Sequence, residues 1–221
     1  MLKDKIKEEK AFLVGVVLGG DGRINIEQQL AELQALANTA GARTVGSSFQ
    51  KRQQPDSATF IGKGKTETII NQAKELKCDI IIFNNDISPT QIKNLQEAAG
   101  EDLKIIDRTG LILDIFIKHA RSRESKTQVQ KAHLEYLLPR LTKQWTHLER
   151  QMGGIGTRAG GGETQIEIDR RLIRDQISKL KKQLKNIQKQ RSIQSHSRVG
   201  AYRIALVGYT NTGKSTLMHS L

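Results

Sequence analysis

Cysteine and long apolar runs are scarce in this chain of 221 residues, and each scarcity excludes a class of protein. Cys78 is the only cysteine, so no disulfide can form within the chain, and a reducing compartment is indicated. No stretch approaches the roughly 18 apolar residues that a membrane-spanning helix needs. The apolar run at 11–18 follows a leader that mixes acids with lysines, which is not typical of a signal peptide. We therefore expect a soluble, cytoplasmic protein with no membrane span.

Acidic residues are almost missing between positions 171 and 203. This segment has ten basic residues and a single acid, Asp175, so it carries most of the net charge of +13. A dense stripe of one sign indicates a polyanion such as nucleic acid as the partner. The alternative is a solvated helix face, although such faces usually mix both signs. The candidate contacts in this stripe are Lys181, Lys182, Lys185 and Lys189.

Short apolar runs alternate with helical patterns in the first 120 residues. The runs lie at 11–18, 42–49, 79–84 and 103–108. Strands that alternate with helices predict an α/β fold with a small parallel sheet and flanking helices. One helix is expected to begin at Ser88 as N-cap, with Pro89 in its first turn and Gln91 completing a capping box. We assign residues 1–120 to this α/β subdomain.

Residues 121–198 show a different pattern, with apolar residues at alternating spacings of four and three. Such spacing is the seam of two helices that pack together as an antiparallel coiled-coil hairpin. Pro139 falls inside the first seam and is expected to kink that helix. The seam residues are Leu134, Leu138, Leu141, Trp145 and Leu148 in the first helix and Ile173, Ile177, Leu180, Leu184 and Ile187 in the second.

A glycine-rich loop at 153–162 joins the two expected helices. Its six glycines make it longer and more flexible than a helical hairpin needs. We expect it to present Thr157 and Arg158 to folded RNA at the end of the hairpin. The alternative is a connector without a role.

The stretch FIGKGK at 60–65 is a second candidate anion site. Lys63 and Lys65 stand among glycines, where they could contact phosphates of RNA or of a nucleotide. A turn that leads into a helix explains the glycines equally well, and both interpretations stay open.

Two other groups of chemically capable side chains do not form a predicted site. His119, His133 and His147 recur every fourteen residues, a helical distance of about 21 Å, so no two can share one metal ion. Asp102 and Asp107 have no neighbouring nucleophile or base in the sequence, and we expect loop and capping roles for them.

Residues 208–215 match the phosphate-binding loop pattern G-x-x-x-x-G-K-[ST]. The apolar run RIALVG precedes it as an expected buried strand, and the residues after it can begin a helix, which is the context that this pattern requires. Lys214 would reach the β- and γ-phosphates, and the Ser215 hydroxyl would ligate Mg²⁺. An ordinary strand-to-helix turn is the alternative. The candidate nucleotide-binding residues are Gly208, Asn211, Thr212, Gly213, Lys214, Ser215 and Thr216.

The other parts of a nucleotide-hydrolysing site are not in the sequence. A Walker-B aspartate, a residue that positions water and a base-reading motif would all follow Leu221. We therefore expect the chain to be a piece of a longer protein, with residues 199–221 forming only the first strand and loop of a G domain. No catalytic residue is assigned within the chain, and we expect it not to hydrolyse nucleotide alone.

Several long motifs in this sequence resemble the HflX-type GTPases of the translation machinery. They are FIGKGK, ISPTQIKNLQ, DRTGLILDIFIKHARSRESKTQVQKAHLEYLLPRL, GGIGTRAGGGETQIEIDRR and GYTNTGKSTL. The resemblance implies an N-terminal α/β subdomain, a helical hairpin and a G domain that binds GTP and GDP with Mg²⁺. It also implies binding to rRNA of the large ribosomal subunit and separation or rescue of ribosomes. We expect a monomer.

The sequence departs from the family pattern in its glycine loop. Residues 158–163 read Arg-Ala-Gly-Gly-Gly-Glu where the family commonly has Arg-Gly-Pro-Gly-Glu, so a more flexible loop is expected. Two alternative functions stay open. One is an rRNA-binding module without catalysis, and the other is an ATP-dependent RNA remodeller, because the preference for guanine depends on the resemblance alone.

Overall fold

The computed structural model describes residues 9–19, 26–141, 165–196, 205–208 and 213–220. The chain divides into two compact units, Met1–Leu184 and Lys185–Leu221. Across the described ranges, no helix combines the length and the apolar character needed to cross a bilayer.

A four-stranded parallel sheet forms the centre of the first unit, as predicted. Its strand order is β2-β1-β3-β4, with β1 and β3 in the middle. All four residues of β3 are buried, which explains why this strand is a continuous apolar run rather than an alternating one. The strands are β1 (Glu9–Leu18), β2 (Ala42–Arg52), β3 (Ile80–Phe83) and β4 (Lys104–Asp107).

Helices connect and follow the strands, which confirms the α/β interpretation. They are α1 (Ile26–Ala40), α2 (Lys63–Glu75), α3 (Pro89–Ala99) and α4 (Arg108–His119). The capping box is present, since Ser88 Oγ accepts from Gln91 N–H and the Gln91 side chain accepts from Ser88 N–H. Asp107 caps α4 by accepting from Gly110 N–H, which confirms its expected capping role.

A bulge shifts the register between β1 and β2. Ala11 pairs with Thr44, but Phe12 pairs with Gly46, so the partner strand contains one extra residue. The Phe12 ring is buried directly against Gly46. A Cβ atom on Gly46 would lie 2.8 Å from the Phe12 ring and 2.9 Å from the Leu76 side chain. Glycine is therefore favoured here by the close approach of the buried Phe12 ring and of the partly exposed Leu76 side chain.

Pro139 ends a helix instead of bending it. Helix α5 spans Arg123–Leu137, and a 3₁₀ turn follows at Leu138–Arg140. The prediction of one kinked helix through the first seam is wrong at this point. A proline ring clashes with the carbonyl four residues earlier, and the chain avoids that clash by leaving the α-helix before Pro139. Trp145 and Leu148 lie outside the described residues.

Helix α6 (Gln165–His196) contains the second predicted seam. Its residues Ile173, Ile177 and Leu180 form a separate apolar cluster with residues from α5 and the segment after it, namely Leu134, Leu138 and Leu141. The first three residues of one seam therefore pack against the first three residues of the other. Leu184 and Ile187 are half-buried and are not members of this cluster. The full length of the hairpin stays a prediction, because residues 142–164 lie outside the described part.

The second unit contains helix α7 (Lys214–Ser220) and the segment 205–208. The sequence predicted a buried strand here, and that prediction is wrong for residues 205–208. They form no strand and are exposed, with Val207 at 92%. A strand needs a hydrogen-bonded neighbour and an apolar cover, and the described residues of this unit include no other strand.

The close approach at Gly46 gives a stability prediction. Gly46→Ala should lower the free energy of unfolding by about 1–3 kcal/mol, because the new methyl group would overlap the buried Phe12 ring. Gly64→Ala is the control, since a Cβ there meets nothing within 4 Å and alanine favours helix α2. Urea unfolding of the two variants measures the difference. Equal stabilities would contradict the packing argument.

Candidate functional site

Helix α6 presents a row of lysines on the side away from its apolar contacts. Ile173, Ile177 and Leu180 are buried, whereas Lys182, Lys185 and Lys189 are exposed to solvent. The same spacing that buries one face therefore leaves the cations on another. We name Lys182, Lys185 and Lys189 the lysine face. Thr157 and Arg158, predicted at the loop of the hairpin, lie outside the described residues.

Lys181 takes part in the contact between α5 and α6. Its Nζ lies 3.3 Å from Glu135 Oε1, and Lys131 Nζ donates to Glu135 Oε2 at 2.8 Å. The hydrogen bond from Lys131, with the one from Lys181, holds the pKa of the Glu135 carboxyl below its ordinary value. Lys181 thus already has a carboxylate partner, and its contact with RNA stays a prediction.

The stretch with Lys63 and Lys65 forms the beginning of α2. Gly62 precedes the helix with φ 81°, and a Cβ there would lie 2.7 Å from Arg52 Nη1. The same Nη1 donates to the Ile61 carbonyl at 2.8 Å. Local structure therefore accounts for Gly62, in agreement with the turn interpretation. Lys63 is exposed and Lys65 is half-buried, so contact of either with phosphate stays a prediction.

The described part of the phosphate-loop motif consists of Gly208, Gly213 and the first turn of a helix. Gly213 has φ 82°, and α7 begins at Lys214 directly after it. Lys214 Nζ donates to the Gly208 carbonyl at 2.8 Å, so the motif's lysine folds back to its first glycine. Thr216 is exposed. Asn211, Thr212 and the side chain of Ser215 lie outside the described part of the structure.

The chemistry of these residues fits a magnesium ion that is held mainly by phosphates. The backbone of Ser215 lies in the first turn of α7, beside Lys214. Mg²⁺ in nucleotide sites takes one or two protein ligands and completes its octahedron with phosphate oxygens and water. A single hydroxyl at this position is therefore an adequate protein contribution. Among the described residues, no group of three or more His, Cys, Asp or Glu side chains could hold a metal.

The structure brings together a buried polar cluster that the sequence did not predict. Asp107 Oδ1 accepts from the Tyr136 hydroxyl at 2.7 Å and from Gly110 N–H at 2.8 Å. Asp107 Oδ2 accepts from Ile87 N–H and from Arg140 Nη2, each at 3.3 Å. We name the side chains of Asp107, Tyr136 and Arg140 the Asp107 cluster.

Arg140 makes two further contacts in the Asp107 cluster, one with the Tyr136 ring and one with a backbone carbonyl. The Arg140 guanidinium lies 3.9 Å from the centre of the Tyr136 ring, and its Nη2 donates to the Ile87 carbonyl at 2.9 Å. Burial, with the negative charge of Asp107, raises the pKa of the Tyr136 hydroxyl well above its ordinary value, so this group stays a donor. The spacing of four residues between Tyr136 and Arg140 could have indicated that these two side chains lie close together. Nothing in the sequence indicated that Asp107 would join them.

Two of the three regularly spaced histidines, His119 and His133, make local contacts in the described part of the structure. His119 lies 2.8 Å from the Ile115 carbonyl through Nδ1, and His133 Nδ1 lies 4.0 Å from Asp114 Oδ1. Burial lowers the pKa of His133, and the nearby Asp114 carboxylate opposes that shift only in part. His147 lies outside the described residues.

Two protein-family models match consecutive parts of the chain. The model described as "GTP-binding GTPase N-terminal" matches residues 27–117, and "GTP-binding GTPase Middle Region" matches residues 119–198. The first match covers most of the sheet and its helices, and the second covers α5 and α6. The class defined by fold and sequence is therefore that of the N-terminal and middle regions of a GTP-binding protein.

Curated relatives carry one common name. The chain is 46% identical over 219 residues to GTPase HflX of Flavobacterium psychrophilum, with 99% of this chain and 52% of that protein covered. It is 41% identical over 215 residues to GTPase HflX of Escherichia coli, with 96% of this chain and 49% of that protein covered. This chain belongs to the HflX family of GTPases. It spans about half the length of these relatives.

Solved structures share the fold. A GTP-binding protein from Sulfolobus solfataricus in complex with GDP aligns with a TM-score of 0.55 at 23% identity, over 96% of this chain and 52% of that one. A structure described as SsGBP in complex with GDP aligns with a TM-score of 0.58 at 22% identity, over 96% of this chain and 55% of that one. At these identities the alignments support the architecture alone.

The environment of His133 gives a prediction on pH dependence. Because its pKa is lower in the folded than in the unfolded protein, the folded state binds fewer protons, and stability falls as the pH drops below the unfolded pKa of about 6.5. His133→Gln should remove part of this loss between pH 7.5 and 5.5, as measured by urea unfolding. The groups that face His133 are Asp114 on α4 and Lys104 on β4.

The control for this measurement is His119→Gln, which removes an exposed histidine from the neighbouring helix. That variant should keep the pH dependence of the unmodified protein. An unchanged slope for His133→Gln would contradict the assigned cause.

Proposed function

We propose that the full-length protein is a Mg²⁺-dependent GTPase that binds the large ribosomal subunit and separates or rescues ribosomes. In this proposal α6 and the hairpin loop contact rRNA, and the loop at 208–216 binds GTP or GDP. The protein acts in the cytoplasm as a monomer. The chain alone supplies the RNA-binding part and does not turn over nucleotide.

The single observation that carries the proposal is the lysine face of α6. Lys182, Lys185 and Lys189 are exposed on a helix that already packs through a different face. That face consists of Ile173, Ile177 and Leu180, which are buried in the cluster with α5 and the segment after it. The helix therefore does not need these cations for its packing. Their charge is available to phosphates, whose counterions are released when the cations bind.

Two features support the nucleotide-binding part of the proposal. Gly213 has the positive φ that a phosphate loop uses, and Lys214 begins the helix that follows. The names of the curated relatives add the activity, since each is called a GTPase. Bound Mg²⁺ would neutralise charge on the phosphates, while Lys214 would bind the β- and γ-phosphate oxygens directly.

The alternatives make different predictions for the same preparation. If the full-length protein is an RNA-binding module without catalysis, its affinity for ribosomal subunits should not change when nucleotide is added. An ATP-dependent RNA remodeller would bind ATP in preference to GTP. Competition of GTP and ATP against a fluorescent guanine nucleotide, with subunit binding measured in parallel, distinguishes the three.

Lys214 gives the first prediction from this proposal. Lys214→Ala in the full-length protein should weaken GDP and GTP binding by about 100-fold or more, since it removes a charge-assisted contact to the phosphates. Titration with a fluorescent GDP analogue measures the loss. Lys74→Ala, at an exposed position of α2, is the control and should bind as the unmodified protein does. Unchanged affinity of Lys214→Ala would refute the assignment of this loop.

The lysine face gives the second prediction. Changing Lys182, Lys185 and Lys189 together to Gln should weaken co-sedimentation with purified large subunits and reduce the salt dependence of binding. Three lost phosphate contacts correspond to a reduction of about 2 to 3 in the slope of log K against log salt concentration. Binding is measured from roughly 50 to 200 mM KCl, a range over which phosphate contacts make the affinity strongly dependent on salt.

A matched variant separates position from net charge. Lys74, Lys93 and Lys126 are also exposed, and changing all three to Gln removes the same charge from other helices. This control should keep most of the affinity and of the slope. Equal effects of the two triple variants would mean that only net charge matters and would overturn the assignment of the lysine face.

A further inference from the structure

We infer that the Asp107 cluster is a positioning joint, which fixes the direction of α5 and α6 relative to the sheet and thereby orients the lysine face of α6. This inference rests on the proposed function for its consequence, but the joint itself can be tested without a ribosome. It also assigns a role to the long motif of residues 107–141, which neither nucleotide binding nor the lysine face explains.

The end of α5 belongs to two apolar clusters at once. Leu137 is part of the main core with the sheet, and Tyr136 packs against that core. Leu134 and Leu138, its neighbours along the chain, belong to the separate cluster with α6. One short segment therefore touches both the sheet and the second helix of the hairpin. Any rotation of this segment would change the direction of both helices.

Apolar contacts alone do not determine that rotation, because they have no directional preference. The Asp107 cluster adds directional contacts at this point. Asp107 is completely buried at the carboxyl end of β4 and accepts four hydrogen bonds from four parts of the chain. Two of these donors, the Tyr136 hydroxyl and Arg140 Nη2, belong to α5 and to the 3₁₀ turn after it.

Arg140 connects the turn to a second strand end. Its Nη2 donates to the carbonyl of Ile87, which lies in the segment between β3 and α3. Its Nη1 donates to the Tyr136 carbonyl at 3.1 Å, and its guanidinium plane lies on the Tyr136 ring. The Arg140 guanidinium is thus held by the Tyr136 ring on one face and by hydrogen bonds from both of its Nη atoms. A lysine in its place could make a point-charge contact but neither the stack nor the fork.

Gly110 lets α4 approach this cluster closely. A Cβ atom on Gly110 would lie 2.7 Å from the Tyr136 hydroxyl oxygen and 3.1 Å from the ring carbon that carries it. The tyrosine therefore occupies the space of the missing side chain. The first turn of α4, the end of α5 and the 3₁₀ turn all meet at one buried carboxylate.

The leverage of this joint makes it relevant to RNA binding. Lys189 lies nine residues, or about 14 Å, beyond Leu180, the last α6 residue in the apolar cluster, so a rotation of about 10° at the cluster displaces Lys189 by about 2.4 Å. A displacement of this size exceeds the tolerance of a hydrogen bond to phosphate. Loss of the directional contacts should therefore weaken binding even though no cation of the lysine face is removed.

The experiment compares two Arg→Lys variants that keep the net charge. Arg140→Lys disrupts the joint, and Arg123→Lys makes the same change at an exposed position in the first turn of α5. Each is made in a Cys78→Ala background with spin labels on cysteines at Glu67 of α2 and Gln183 of α6, both exposed. Distance distributions between the labels are measured by pulsed electron paramagnetic resonance. Co-sedimentation with purified large subunits is measured for unlabelled full-length proteins.

We expect Arg140→Lys to broaden or shift the distance distribution and to lower subunit affinity by about 5- to 10-fold, equivalent to roughly 1–1.4 kcal/mol. Arg123→Lys should do neither. Circular dichroism verifies folding, and Tyr136→Phe, which loses only the hydroxyl, replaces Arg140→Lys in the comparison if the latter does not fold.

Two results would overturn the inference. One is a distance distribution for folded Arg140→Lys and Tyr136→Phe that equals that of the unmodified protein. The other is a changed distance distribution in a variant that still binds subunits with unchanged affinity. The cluster would then position the helices without affecting RNA binding. Failure of the unmodified full-length protein to bind subunits would instead refute the proposed function, and the distance measurement would still decide the joint.

Discussion

The buried carboxylate of Asp107 is the interaction on which the arrangement of the first unit depends. A charge with no exposure to solvent is costly unless its partners satisfy it, and here four donors do so. Removing one charged partner of such a pair leaves an uncompensated charge, which is strongly destabilising. The need to satisfy this one group therefore constrains where α4, α5 and the turn after α5 can lie relative to the sheet.

Helix α6 combines two kinds of contact on one element. Ile173, Ile177 and Leu180 pack against α5 and the segment after it, whereas the lysine face is exposed, so packing and electrostatics do not compete for the same side chains. Lys181 is at the border of the two, since it pairs with Glu135 of α5. That pair is exposed and contributes little to stability. Its effect is to bring one cation toward the hairpin contact, while Lys182, Lys185 and Lys189 stay in solvent.

Local patterns in the sequence predicted most of the described elements. The four strands, the capping box at Ser88 and the capping role of Asp107 depend on residues close together in the chain, and all are confirmed. Predictions that required knowledge of a distant neighbour were less successful. The apolar run at 205–208 has the composition of a buried strand, but no described neighbour pairs with it. Pro139 was recognised as a break, although the sequence did not show that the helix would end there.

Periodicity, spacing and charge by themselves determined the fold class, the two faces of α6 and the candidate phosphate loop, because each of these follows from patterns of residues that are near one another along the chain. Only the tertiary structure decided which side chains from distant parts of the chain meet. Asp107, Tyr136 and Arg140 lie up to 33 positions apart and form one cluster, because the sheet and α5 place their backbones together before the side chains bond. A hydrogen bond between distant residues leaves no periodic signal, since its geometry exists only after the chain has folded.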